Sequence, residues 1–203
     1  MGTTTAANAP TEPRRRERKK EATRLALHRA AVLLAGEQGL EHVTVEAIAD
    51  AADVSRRTFS NYFANKEEAI LWGDVRRLTR MYELVAARPP TEPIWAALSA
   101  GAEQLLVERD ADPDWVRQLR LLRRHPSLIG RQVATFAEGE RTLADLVVDR
   151  LPDGPHRDVR ARLMTAALFS AVRIATQTSI AQPERPLLDV LHELLAAAAE
   201  PWS

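Results

Sequence analysis

The chain of 203 residues predicts an all-α protein, and three observations carry that prediction. Apolar residues recur at helical spacing from about Arg18 onward, while strand-type alternation is missing. The hairpin dipeptide Asp153-Gly154 falls between two helical stretches, where it marks a joint and no strand pair. Glycine is scarce, at 8 residues, and the prolines sit at segment joints, where helices are expected to stop.

Each element follows in order. Residues 1–17 combine a Thr-, Ala-, Asn- and Pro-rich start with a cationic run, and predict a disordered basic arm. A first helix is expected from Arg18 to Glu37, with Leu27, Ala30, Ala31 and Leu34 on one face and Gly39 past its end. Thr44 then serves as N-cap for a short helix to Ala52, with Val45, Ile48 and Ala49 inward. Ser55 caps a second short helix through Tyr62. Asn65, with Glu68 at the capping-box position, opens a longer one to about Ala87, ahead of Pro89-Pro90. Five further helices are expected, roughly at Ile94–Glu108, Trp115–Arg124, Leu128–Arg150, Arg157–Ala181 and Leu187–Ala199. The last places Leu187, Leu188, Leu191, Leu194 and Leu195 on a broad apolar face.

Composition excludes several classes of function. With no cysteine there can be no disulfide framework, zinc-thiolate site, iron–sulfur cluster or Cys nucleophile. No apolar run approaches the roughly 18 residues of a membrane span, and no secretory h-region stands at the N-terminus. A cytoplasmic, nucleoid-associated protein is therefore expected. Lys+Arg and Asp+Glu both number 28, which on its face speaks against a polyanion partner. The charges are unevenly spread, however. Between Pro13 and Lys66 stand 11 Lys and Arg against 7 Asp and Glu, so a basic module precedes a mildly acidic remainder. Local cation density, not the chain total, governs binding to nucleic acid, because released counterions supply much of the free energy.

Two short capped helices joined by a tight turn have helix-turn-helix geometry, whose second helix enters a major groove. In Ser55-Arg56-Arg57-Thr58-Phe59-Ser60-Asn61-Tyr62-Phe63, Phe59 and Phe63 are four apart and can pack inward together. That leaves Arg56, Arg57, Ser60 and Asn61 outward, all able to bond a base edge or a phosphate. The cluster Arg14, Arg15, Arg16, Arg18, Lys19 and Lys20 reads either as a solubilising tail or as an arm that reaches DNA.

The stretch from Gly39-Leu40 through Thr44-Val45-Glu46-Ala47-Ile48-Ala49 to Val54-Ser55 and Asn65-Lys66-Glu67 resembles the DNA-binding domain of the tetracycline-repressor (TetR/AcrR) family. The resemblance covers roughly residues 20–70. It implies a homodimeric, ligand-responsive transcription factor, usually a repressor, on a palindromic double-stranded operator. It divides the chain into the arm at 1–17, a helix-turn-helix domain at 18–66 and a helical ligand-binding and dimerisation domain at 67–203. By the same resemblance, Thr44, Tyr62 and Lys66 are phosphate contacts, and Arg56, Arg57, Thr58 and Asn61 lie on the recognition helix. Asp53 stands where the family usually has Gly in the turn, and Ala35 where an aromatic is common. The stretch Arg120, Arg124-His125-Pro126-Ser127-Leu128 looks like a branch whose members answer to acyl-CoA thioesters or other hydrophobic molecules.

For the effector, Trp72, Trp95, Trp115, Phe136, Met164 and Phe169 could line an apolar cavity, with Arg173, Thr176 and Gln177 as polar fixing groups. Ordinary core is the competing reading of each aromatic. Arg173 lies in the apolar stretch Met164–Ile180, where burial would demand a partner. The leucine face of the last helix argues for dimerisation through the last two helices. No cofactor or metal is expected: Asp110, Asp112 and Asp114 imitate a calcium loop, but Pro113 and Trp115 break it. The five histidines are scattered, and no hydrolase or phosphate-loop motif accompanies them. The alternative to a regulator is a helical small-molecule-binding protein or bundle enzyme with no specific DNA target.

Overall fold

The structure, a computed structural model, describes residues 12–110 and 113–199. Helices α1 (Glu12–Gln38), α2 (Val45–Ala51), α3 (Arg56–Ser60), α4 (Lys66–Ala86) and α5 (Ile94–Asp110) follow one another, with a 3-10 turn at Leu40–His42. Then come α6 (Pro113–Arg124), α7 (Pro126–Val148), α8 (Arg157–Ala181) and α9 (Leu187–Ala199). The described residues contain no strand.

One boundary is corrected. The arm expected to be disordered through residue 17 is helical from Glu12, and residues 1–11 lie outside the described part. Arg, Lys and Glu are good helix formers in their own right, and Pro is tolerated in a first turn, which has no use for its missing N–H.

The chain divides into two compact units, one through Ile70 and one from Leu71. In the first, Leu27, Ala31 and Ala35 of α1 are buried with Ile48 and Ala49 of α2, Phe59 of α3 and Phe63. Gly39 turns the chain between α1 and the 3-10 turn at φ +87°, a backbone that L side chains rarely adopt. Asp53 turns it between α2 and α3 at φ +53°, the left-handed geometry that Gly would supply more easily.

The second unit has its own core, built from Met81, Val85, Leu98, Leu106, Leu143, Val147, Met164, Leu168, Leu191 and Leu195. Helix α8 runs through it, packed along α7 and α9, with Ala161, Ala171 and Ala175 among its buried positions. Short side chains at those positions let the neighbouring helices approach closely. Gly139 does the same on α7: a Cβ there would lie 2.6 Å from Leu78 Cδ2. The Tyr82 hydroxyl donates to the Gly139 carbonyl at 3.1 Å.

The leucine face of α9 is a second correction. Val190, Leu191 and Leu195 are buried in the chain's own core, with Leu187, Leu188 and Leu194 packed against it. The face is covered in cis because α9 lies along α8 and α5. Exposed large apolar residues stand on other helices, among them Val159, Leu163 and Ile174 on α8 and Ile129 and Val133 on α7.

Candidate nucleic-acid interface

The helix-turn-helix is built from its caps inward. Thr44 Oγ1 accepts the Ala47 N–H at 3.1 Å, and Ser55 Oγ accepts the Thr58 N–H at 3.1 Å. Each satisfies one of the orphan donors that begin a helix. The Ser55 and Thr58 hydroxyls also bond one another at 2.9 Å. Phe59 and Phe63 meet inside, ring centroids 5.8 Å apart and tilted. Anchored on that pair, α3 turns Arg56, Arg57 and Ser60 to solvent, with Asn61 exposed just beyond its end. Arg56 reaches back to Glu46 of α2, Nη1 to Oε1 3.0 Å, in an ion pair open to water.

Tyr62 is half-buried, with the Arg24 guanidinium of α1 5.8 Å from its ring centroid. Lys66 is more occupied than the sequence suggests. Its ammonium donates to the carbonyls of Leu40 at 2.7 Å and Val43 at 2.9 Å, tying the 3-10 turn to the start of α4. That start is fixed twice more: the Glu68 N–H donates to Asn65 Oδ1 at 2.9 Å, and Glu68 Oε2 accepts the Ala64 N–H at 2.7 Å.

The nine residues offered for an effector occupy several different settings. Trp72 and Met164 are buried. Trp95 donates its indole N–H to the Leu195 carbonyl at 3.3 Å. Phe136 of α7 meets Phe169 of α8 edge-on, centroids 6.3 Å apart. Thr176 turns its hydroxyl onto the Val172 carbonyl of its own helix. Arg173 and Gln177 are exposed, so the expectation of a buried Arg173 in need of a partner is overturned. It lies on the side of α8 away from the stripe of Met164, Leu168, Ala171 and Ala175.

Trp115 has the most distinctive surroundings. Its ring lies under the Arg77 guanidinium, 4.6 Å from Cζ to centroid. Arg77 Nη2 donates to Asp74 at 2.6 Å and to Gln118 Oε1 at 2.7 Å, and Gln132 donates to the other Asp74 oxygen at 3.0 Å. Asp74 and Gln118 are fully buried, and Gln118 Nε2 has no acceptor. Nearby on α4, Arg80 grips Glu108 of α5 through two bonds of 2.9 and 2.7 Å. Chiefly through those bonds, the guanidinium holds the Glu108 carboxyl below its ordinary range. Burial pushes the Tyr82 phenol up.

Two family models match the chain in succession. Residues 27–70 match bacterial regulatory proteins of the tetR family, and residues 88–203 match the MftR C-terminal domain. The HTH-type transcriptional regulator TcmR of Streptomyces glaucescens is 31% identical over 177 residues, which are 84% of this chain and 78% of TcmR. The chain belongs to the TetR family.

It is thus a helix-turn-helix transcriptional regulator, with the TetR head first and a helical body after it. Solved TetR-type structures share the fold. SmeT, the repressor of the Stenotrophomonas maltophilia multidrug efflux pump SmeDEF, superposes with a TM-score of 0.58 at 17% identity, covering 89% of this chain and 91% of SmeT. The fatty acid degradation regulator FadR of Bacillus halodurans gives 0.54 at 17% identity, covering 86% and 93%. No helix among the described residues is long and apolar enough to cross a membrane.

Sequence reasoning missed three features of this TetR chain. His28 is buried and its Nδ1 bonds the Ala69 carbonyl at 2.8 Å, joining α1 to α4. A carbonyl only accepts, so Nδ1 carries the proton. Lys66 serves the backbone, which no local pattern announces. The Asp74–Arg77–Gln118–Gln132 network draws on three helices, and only Asp74 and Arg77 stand within one turn of each other.

Proposed function

We propose that this TetR-family regulator is a repressor that binds a palindromic operator as a homodimer and is released by a small hydrophobic effector. The observation that carries the operator reading is the outward face of α3 and the residue after it. There Arg57, Ser60 and Asn61 stand exposed on a helix fixed by the Thr44 and Ser55 caps and the Phe59–Phe63 pair. Arg57 suits the O6 and N7 acceptors of guanine, and Asn61 suits adenine. Thr44, Ser55, Arg56, Thr58 and Tyr62 frame that face and would meet phosphates. Lys66 acts chiefly by holding the 3-10 turn in place behind them.

For dimerisation, the exposed Val159, Leu163 and Ile174 favour α8 as the main surface, with α9 contributing through its outer side. For the effector, support comes from the buried polar network beside Trp115, where an unmatched Gln118 N–H could bond an oxygen of an otherwise apolar molecule. SmeT, whose fold this body shares, is a repressor that has been captured in complex with triclosan. An acyl-CoA thioester is the finer version of the same reading. The protein acts in the cytoplasm, on the nucleoid.

The test is selection of an operator from a randomised duplex pool, followed by electrophoretic shift with and without candidate effectors and light scattering of the free protein. A two-fold symmetric consensus and a dimer of the 22.6 kDa chain support the reading. A monomer with no preferred sequence defeats it. A thermal-shift screen of hydrophobic metabolites identifies the effector, since a ligand at 100 times its Kd adds about 2.7 kcal/mol.

A further inference from the structure

Three buried side-chain nitrogens lack an acceptor among the described residues: Nε of Arg24, Nε of Arg150 and Nε2 of Gln118. The two arginines are engaged elsewhere. Arg24 lies over Tyr62, and Arg150 donates through its Nη atoms to the carbonyls of Val85, Pro89 and Glu92. Gln118 differs, because the residue is buried at 0% exposure and both hydrogens of its NH2 are left over. A buried donor in that state carries an uncompensated desolvation penalty, which a bound acceptor would remove.

The amide cannot turn round to escape that penalty. A guanidinium only donates, so the Gln118 oxygen must face Arg77, at 2.7 Å, and the NH2 points the other way. The buried acceptors beside it are already engaged. Asp74 takes Arg77 on one oxygen and Gln132 on the other, at 2.6 and 3.0 Å. Charge is balanced too, because the Arg77 cation is paired with the Asp74 carboxylate. What the cluster offers is therefore a neutral N–H, with no net charge and every fully buried oxygen already bonded. Its rim is reachable: the Arg77 side chain is 17% exposed, and Trp115 and Gln132 are only partly buried. The polar fixing groups expected from the sequence are less suited, since Arg173 and Gln177 are exposed and Thr176 bonds its own helix.

We propose that Gln118 is the polar anchor of the effector site, and that the effector is an uncharged carbonyl compound, a ketone or ester with an apolar body. Its oxygen accepts from Nε2 of Gln118. An alcohol would bring a second donor that finds no buried acceptor. A carboxylate would be desolvated beside a cation that Asp74 has already neutralised. This rests on the effector reading given above and names the chemistry which that reading leaves open.

The experiment uses the full-length protein and two sets of probes of nearly constant shape. Benzophenone, benzhydrol, diphenylmethane and diphenylacetate form one set. Methyl nonyl ketone, the matching secondary alcohol, undecane and decanoate form the other. Dissociation constants come from quenching of tryptophan fluorescence, and release of the selected operator is followed by electrophoretic shift. In at least one set the ketone should bind about tenfold more tightly than its hydrocarbon, and ahead of the alcohol and the acid. Gln118→Met abolishes that ratio. Gln118→Glu abolishes it as well while leaving an oxygen for Arg77, which separates loss of the N–H from loss of the network; circular dichroism checks both folds. Equal binding of ketone and hydrocarbon, a preference for alcohol or acid, or a ratio that survives either substitution overturns the carbonyl class and leaves the effector reading standing. Failure of every ketone to bind overturns the class too. The effector reading falls with it only if the wider screen of hydrophobic metabolites also yields nothing that releases the operator.

Discussion

The carboxylate of Asp74, fully buried on α4, is held by the guanidinium of Arg77 one turn later, 2.6 Å from oxygen to Nη2. A buried pair adds little net stability against an apolar substitute, yet losing one partner strands the other. Arg77→Ala leaves Asp74 with only the Gln132 amide and removes the cation over Trp115. The expected loss is about 3–5 kcal/mol in urea unfolding, while Asp74→Asn with Arg77→Met recovers much of it. Equal losses in the single and double variants would remove the stranded charge as the cause.

Two glycines of α7 should respond in opposite directions. Gly130 has open space around its Cβ position, so Gly130→Ala gains helix propensity and stabilises by up to about 1 kcal/mol. At Gly139 the new methyl meets both Leu78 δ-carbons within 2.7 Å, inside the core and beside the Tyr82 hydroxyl. Overpacking of about 1–3 kcal/mol exceeds the propensity gain, and Gly139→Ala lowers the melting temperature.

The turn before α3 offers a backbone test. Asp53 sits at φ +53°, so Asp53→Val forces a β-branched residue into left-handed geometry at about 1–3 kcal/mol. Asp53→Gly should be neutral or mildly stabilising in the same thermal melts.

The recognition helix is tested by Arg57→Ala. If Arg57 reads a guanine, operator affinity falls by about 1–3 kcal/mol in an electrophoretic shift and preference relaxes at that base. Random DNA should be bound nearly as before.

Acid should weaken the packing of α4 on α5. The Glu108 carboxyl is held below its ordinary value by Arg80, so the folded state favours the ionised form. That contribution is present above the carboxylate's unfolded value and is lost as pH falls through the depressed folded one. Both groups are largely open to water, and the effect is correspondingly small. Glu108→Gln should lower the melting temperature near neutral pH and flatten its fall between about pH 5 and 3.

Much of this was legible before any coordinates. The Thr44 and Ser55 caps, the Phe59–Phe63 pair and the ends of α8 and α9 all follow from local chemistry, because caps and four-residue spacing act within one or two turns. Asp53 was recognisable through the family resemblance, as the residue standing where Gly is usual in the turn. What sequence reasoning did not reach was long-range. Whether the leucines of α9 face the chain's own core or a partner depends on where α8 and α5 lie, and periodicity is blind to that. Arg173 misled because an apolar neighbourhood in sequence says nothing about which side of a helix a residue takes. Lys66 and His28 bond carbonyls 23 or more residues away, beyond any local pattern.

The Arg56–Glu46 ion pair has a bearing on the search for an operator. In the free head, Glu46 occupies Arg56 much as a phosphate would, so that cation is already self-screened. On the operator reading proposed above, Arg56 would exchange one anion for another on docking and displace fewer counterions than Arg57. Glu46 would then act as a weak resident decoy, since the pair is open to water.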